Sequence, residues 1–372
     1  MTLAGEVRRR WAGMSPRRDG PPEVAAESVR RWLAAVVAGR PAAVPVDAES
    51  IHLLRRSRLS FLAAFAPGGE EAFSRERRDA FAATVQIERA TSEVVELLAR
   101  ASIPCVTLKG PAFAAQVIGD GARRSSLDVD VLVRRADLPA VRGAFALAGM
   151  TGAVHYPVWY EERWHDHVAY RGLPEAPALT VEVHWDIVRP GLSRLPIDEV
   201  LRGRVTVPCL SADLPAPELH WQMVFTAAHA AQHFYDARGL VDVALCAARL
   251  DEDGWRAAVE AARRARLGPA LHHAVVRSAG WLGWQPPALV AGLRPGRSQT
   301  GLAGSYLARL DPWLLPSWGV LQLAKVGTPA CVSARLAGLP GMLVALTDRP
   351  NVCTALDAAV RRRLGDGAAA GD

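Results

Sequence analysis

The chain has 372 residues, half of them hydrophobic, with a formal net charge of +6 and a pI near 9.4. That length allows two or three domains, and five scattered cysteines without a CxxC pair exclude a disulfide framework or a cysteine zinc site and point to a reducing cytoplasm. No secretory signal is evident and no apolar run reaches bilayer length, so no membrane span is expected; no basic stretch is interleaved with aromatics, so nucleic acid is not expected as a partner.

In chain order, residues 1–22 form a basic, Pro-containing N-terminus expected to be disordered. A helical segment follows over 23–102. Its helices are expected at Ala25–Val37, His52–Ala64 and Glu71–Ala101, the last with Ile87, Val94 and Leu98 on one face and Thr91 between them. The texture changes at Ile103. A β-prone run ends in Lys109-Gly110-Pro111, and a helix then runs to Ile118 with Pro111 at its first position. Asp128-Val-Asp-Val-Leu-Val133 reads as a strand. Asp137 is placed to cap a helix reaching Ala148. Strands are expected at His167–Arg171 and Leu179–Trp185. The α/β core therefore spans 103–190, a linker 191–217, and a C-terminal helical domain 218–364. That domain has helices at Glu218–Phe234, Gly239–Leu250 and Gly254–Ala265, and the tail 365–372 is expected to be disordered.

The chemistry concentrates in the core. Asp128 and Asp130 are i and i+2 of a strand, so they share a face about 6.5–7 Å apart while Val129 and Val131 face the core. Two buried carboxylates on one face repel, and a divalent cation resolves the repulsion. Upstream, Gly110 sits at a strand-to-helix turn, where free N–H groups suit phosphate, and Lys109 adds a point charge. Lys109 and Lys325 are the only lysines among 44 basic residues, which hints that Lys109 has a specific task. Thr180-Val-Glu-Val-His-Trp then supplies a third carboxylate. Glu182 and His184 share one strand face, and Val181, Val183 and Trp185 the other. Glu182 either completes a metal site or acts as general base. His184 is placed to orient a carboxylate, bind phosphate or carry a proton. Each of these pieces also has a plain reading as turn or solvated strand; their order along the chain favours the site.

Other residues fit less. His229 and His233 are i and i+4 on an apolar helix without a nearby carboxylate, so packing or hydrogen bonding is favoured over zinc. His165-Asp166-His167 precedes a strand, and His167 lies either in the cleft or in a loop. Ser125 and Ser126 lack a His–Asp partner set, which excludes a serine nucleophile.

Together, Leu108-Lys109-Gly110, Arg124 with Asp128-Val-Asp-Val-Leu-Val133, Val181-Glu-Val-His-Trp185, and His229…His233…Asp242 resemble the bacterial uncharacterised nucleotidyltransferase family, related to the polymerase-β-like superfamily. The resemblance covers roughly 95–248. It implies an α+β fold: a small mixed-sheet nucleotidyltransferase core flanked by N-terminal and C-terminal helical segments. It further implies Asp128, Asp130 and Glu182 as catalytic ligands of Mg²⁺ (or Mn²⁺), with Lys109, Gly110, Arg124 and His184 facing the bound nucleotide. Gly110 is followed by Pro111 where the superfamily has Ser or Gly, so one N–H is missing from the phosphate turn. The implied reaction moves a nucleotidyl group from an NTP such as ATP to a hydroxyl of a small-molecule or peptide acceptor, in keeping with a setting in natural-product biosynthesis. Two rival readings stand beside it: glycosyl transfer from a nucleotide-sugar on the same core, and a non-catalytic nucleotide-binding partner protein.

Overall fold

In the computed structural model, the described residues are 22–124, 126, 128–152, 165–188, 193–233 and 235–294. The ends expected to be disordered, and all of the C-terminal segment beyond 294, lie outside them. Three helices open the described part: α1 (Glu23–Val37), α2 (Ala48–Arg56) and α3 (Ser60–Ala64). The sequence predicted one helix over the last two. It breaks at Arg58, which takes φ +58° without being glycine, and so no turn residue announced it. The long helix α4 (Ser74–Arg100) buries Ile87, Thr91, Val94 and Leu98 as its spacing required. Thr91 Oγ1 donates to the Ile87 carbonyl at 2.6 Å, so the hydroxyl enters the core already satisfied.

The core sheet has five strands: β1 (Val106–Thr107), β2 (Asp128–Leu132), β3 (Thr151–Gly152), β4 (His167–Arg171) and β5 (Thr180–His184). Their spatial order is β1-β2-β5-β4-β3, mixed in sense, with β2 and β5 parallel and the other neighbours antiparallel. Between β1 and β2 lie helix α5 (Gly110–Phe113) and a π-helical turn, Ala114–Ile118. Pro111 is therefore the second helical residue, one position later than predicted. Helix α6 (Leu138–Leu147) connects β2 to β3. Asp137 precedes it without capping it; its carboxylate lies 3.6 Å from Arg134 instead.

One sheet face packs on α4 and α6. Val129 and Val131 of β2 and Val181 and Val183 of β5 point into this core, with Phe145 of α6 among them. The Phe145 ring meets Tyr170 edge-on at 4.9 Å. Phe145→Ala is expected to cost about 3–5 kcal/mol in chemical denaturation, the usual range for a fully buried phenylalanine.

The segment predicted as a linker carries structure of its own. Helix α7 (Ile197–Arg202) is followed by a hairpin of β6 (Val205–Pro208) and β7 (Asp213–Ala216). The hairpin is tied to both sides of the core. Thr107 donates to the Pro215 carbonyl at 2.7 Å. Glu88 of α4, almost fully buried, accepts from Leu210 N–H at 3.2 Å and from Ser211 N–H and Oγ at 2.7 Å each. The sequence missed this because its prolines and small polar residues read as breakers, whereas here they sit in a two-stranded edge element.

Four α-helices follow, α8 (Leu219–Gln232), α9 (Ala237–Ala247), α10 (Glu252–Arg264) and α11 (Gly268–Leu282), and a 3₁₀ turn at Ala288–Leu293 closes the described part. Helices α9 and α10 begin two residues before the glycines that sequence reading took as their starts. Asp236 and Asp251 cap them, each accepting at 2.8 Å from the glycine N–H three residues on. A core centred on the fully buried Trp221 joins these helices to Val106, Leu108 and Leu132 of the sheet. The N-terminal helices share another core with α9 and α11: Val29, Trp32 and Leu33 of α1 meet Ala237, Val241 and Leu282. Among the described residues no helix is long and apolar enough to cross a membrane.

Candidate active site

The parallel pairing of β2 and β5 sets Asp130 directly beside Glu182, with Asp128 beside Thr180. Alternation in both strands puts all three carboxylates on the face opposite the valine core. Lys109 reaches this face from the turn after β1, and its Nζ lies 2.9 Å from Asp130 Oδ1. Gly110 follows with φ +67°, the left-handed region that favours glycine; the side chain of Ser126 stands 3.5 Å from where its Cβ would be.

His184 lies between the carboxylates. Its Nε2 is 3.0 Å from Asp130 Oδ1 and 3.4 Å from Glu182 Oε2. Ionised carboxylates only accept, so Nε2 carries the proton. Asp130 Oδ1 thus serves both Lys109 and His184, while its Oδ2 is buried without a hydrogen-bond partner.

The electrostatics follow from this crowding. Burial would raise the Asp130 carboxyl, but Lys109 and His184 outweigh it and hold the group well below its ordinary range. Glu182 is likewise lowered: burial opposes ionisation, and the contact with His184 and the proximity of His167 overcome it. His184 is pushed up to about 9, since its two carboxylate contacts outweigh a burial that alone would lower it. Lys109 is raised because the Asp130 charge outweighs its own desolvation. Asp128 goes the other way. Burial and repulsion from Asp130 raise it, and its carboxylate accepts from Ser126 Oγ at 3.3 Å.

The sequence expected Asp128, Asp130 and Glu182 to converge. Among the described residues, the close group that holds two of them is Asp130, Glu182 and His184, whose potential ligand atoms lie within 4.8 Å of one another. Asp128 stands one pleat away, on the same face and within reach of the others' charge. A buried, unpartnered carboxylate oxygen beside two further carboxylates fits a hard divalent cation, which takes oxygen ligands.

Behind Lys109 and His184 a small cavity reaches toward the C-terminal helices. Its wall includes Phe113, Arg124, Gln222, Thr226, His229 and Asp242. Arg124, expected at the phosphates, pairs with Asp242 at 3.1 Å and lies over the Phe113 ring at 4.6 Å. His229 lines the cavity as a buried group whose pKa falls well below its ordinary value, from desolvation first and then the Lys109 charge. Its ring centroid is 4.3 Å from that of His233. Sequence reasoning missed Gln222 and Thr226; nothing in an apolar helical run marks which polar residue will face a neighbouring domain.

No curated protein matches the sequence. A solution structure of the antibiotic-resistance factor ANT(2'')-Ia is similar at 10% identity and a TM-score of 0.34, over 51% of this chain and 97% of that one. The family model described as "Uncharacterised nucleotidyltransferase" matches residues 49–283, which takes in every described strand and the carboxylate face. With well over half of its length so matched, the chain belongs to the uncharacterised nucleotidyltransferase family and with it to the transferases.

Proposed function

We propose that the protein moves a nucleotidyl group from an NTP to a hydroxyl of a small-molecule or peptide acceptor, with Mg²⁺ (or Mn²⁺) held by Asp128, Asp130 and Glu182. The observation that carries this reading is the β2–β5 register, which aligns Asp130 with Glu182 and sets Asp128 two residues along on the same face. The bound cation would supply charge neutralisation at the reacting phosphate oxygens.

Glu182 is held ionised by the neighbouring His184, which suits holding a cation better than accepting a proton. Lys109 carries its charge on the same face, at the turn that Gly110 opens, and is the side chain best placed for the phosphates. Arg124 contributes from the cavity wall with its charge shared by Asp242. His184 positions Asp130 and Glu182 through one ring nitrogen. In the reaction the acceptor hydroxyl gives its proton to solvent as its oxygen attacks the α-phosphorus, the bond from that phosphorus to the oxygen bridging it to the β-phosphate breaks, and pyrophosphate leaves.

The test is mass spectrometry of the products formed by the purified chain with Mg²⁺, a pool of NTPs and nucleotide-sugars, and a panel of hydroxyl acceptors. Pyrophosphate together with an acceptor heavier by one nucleotidyl group supports the proposal. Release of a nucleoside diphosphate from a nucleotide-sugar replaces it with glycosyl transfer. Nucleotide binding without any product leaves a binding protein. In the same assay Glu182→Gln is expected to lower turnover at least tenfold, the low end of what loss of a metal-site partner costs.

A further inference from the structure

We propose that Asp166, His167 and His184 form a second metal site, of the two-histidine, one-carboxylate kind, that takes a borderline transition ion such as Zn²⁺. It is distinct from the all-carboxylate set of Asp128, Asp130 and Glu182 and does not depend on the transfer reaction assigned to that set.

The site is built by strand pairing. Strands β4 and β5 run antiparallel with His167 directly opposite His184, and the two ring centroids are 4.9 Å apart. Asp166 precedes His167, and its backbone carbonyl accepts from Trp185 N–H at 3.0 Å, which fixes it against the end of β5. One potential ligand atom from each of the three residues lies within 4.8 Å of the others. Four-coordinate zinc with bonds of 2.0–2.1 Å needs ligand separations of about 3.4 Å. The side chains would therefore close by about an ångström, which rotamer adjustment at the half-exposed His167 can supply.

The orientation of His184 is the second observation. Its side chain is more than nine-tenths buried, and Nε2 is committed to Asp130 and Glu182. Nδ1, on the other edge of the ring, is buried without a hydrogen-bond partner. A buried, unpartnered ring nitrogen on the edge opposite one held by carboxylates is the arrangement of a metal-bound histidine, the ion taking the place of any proton on Nδ1. His167 Nδ1 is also buried and makes no hydrogen bond; Asp166 Oδ1 stands 3.6 Å from it. Two nitrogens and one oxygen select zinc, cobalt or nickel over magnesium, whereas the neighbouring carboxylates select magnesium. Three protein ligands leave a fourth position for water or substrate. The cavity behind Lys109 touches both Asp166 and His184 and offers a way in.

The test uses the full chain, stripped with chelator and loaded with Zn²⁺ in excess Mg²⁺. The expected result is one tightly held zinc per chain, with X-ray absorption at the zinc edge showing two imidazole ligands. His167→Gln should weaken zinc binding at least tenfold, while Asp128→Asn should leave it unchanged. Absence of tight zinc, a spectrum without two imidazoles, or zinc lost in Asp128→Asn but kept in His167→Gln overturns the proposal. The absorption spectrum is taken on the unsubstituted protein, so the outcome stands even if His167→Gln folds poorly. Failure of the transfer assay would leave this result untouched.

Discussion

Asp128→Asn is expected to lower nucleotidyl transfer by at least about a hundredfold, the upper end of what loss of a metal-site partner costs, without lowering the melting temperature. The two halves of that expectation have one cause. The folded chain raises the pKa of Asp128 through burial and through repulsion from Asp130. In the carboxylate range the folded state therefore binds more protons than the unfolded state. This contribution to stability is lost as pH rises through that range. Asparagine removes the repelling charge, so the metal-free variant should melt at the same temperature or higher in neutral buffer. Asp130→Asn is no substitute for this test, because Asp130 is the anion that Lys109 and His184 share. Turnover at the unsubstituted rate in Asp128→Asn would remove this residue from the site. A clear fall in melting temperature would show that the Asp128 charge is not the liability described.

The second large effect concerns stability. Arg124 and Asp242 are 118 positions apart in the chain, and their side chains are 8% and 9% exposed. Truncating one member of a buried ion pair leaves the other charge without compensation, and Asp242→Ala is expected to cost about 3–5 kcal/mol in urea denaturation. The double variant Arg124→Met with Asp242→Leu should recover most of that loss, since it leaves no buried charge behind. A cost for Asp242→Ala below about 1 kcal/mol would class the pair with exposed ion pairs. It would then contribute little to holding the C-terminal helices on the core.

Much of the core was legible in the sequence because strand alternation is strict. The residues Val129, Val131, Val181 and Val183 could only face one way, which sent Asp128, Asp130, Glu182 and His184 the other. Periodicity gives faces but not neighbours. That β2 pairs with β5 in parallel, and so aligns Asp130 with Glu182, depends on a connection through α6, β3 and β4 that no local pattern encodes. The same limit hid the pairing of His167 with His184 and that of Arg124 with Asp242 of α9. The break at Arg58 escaped for a different reason: an arginine in the left-handed region carries no sequence mark.

The core shared by α1, α9 and α11 has a consequence for biogenesis. Helix α1 lies outside the family-matched range, yet Trp32 and Leu33 are buried against helices made more than two hundred residues later, and Arg30 donates to the Trp281 carbonyl at 3.1 Å. During synthesis the first described helix leaves the ribosome long before the surface that covers it exists. At about 5–20 residues per second its apolar face waits ten seconds or more, exposed to the association that chaperones exist to prevent.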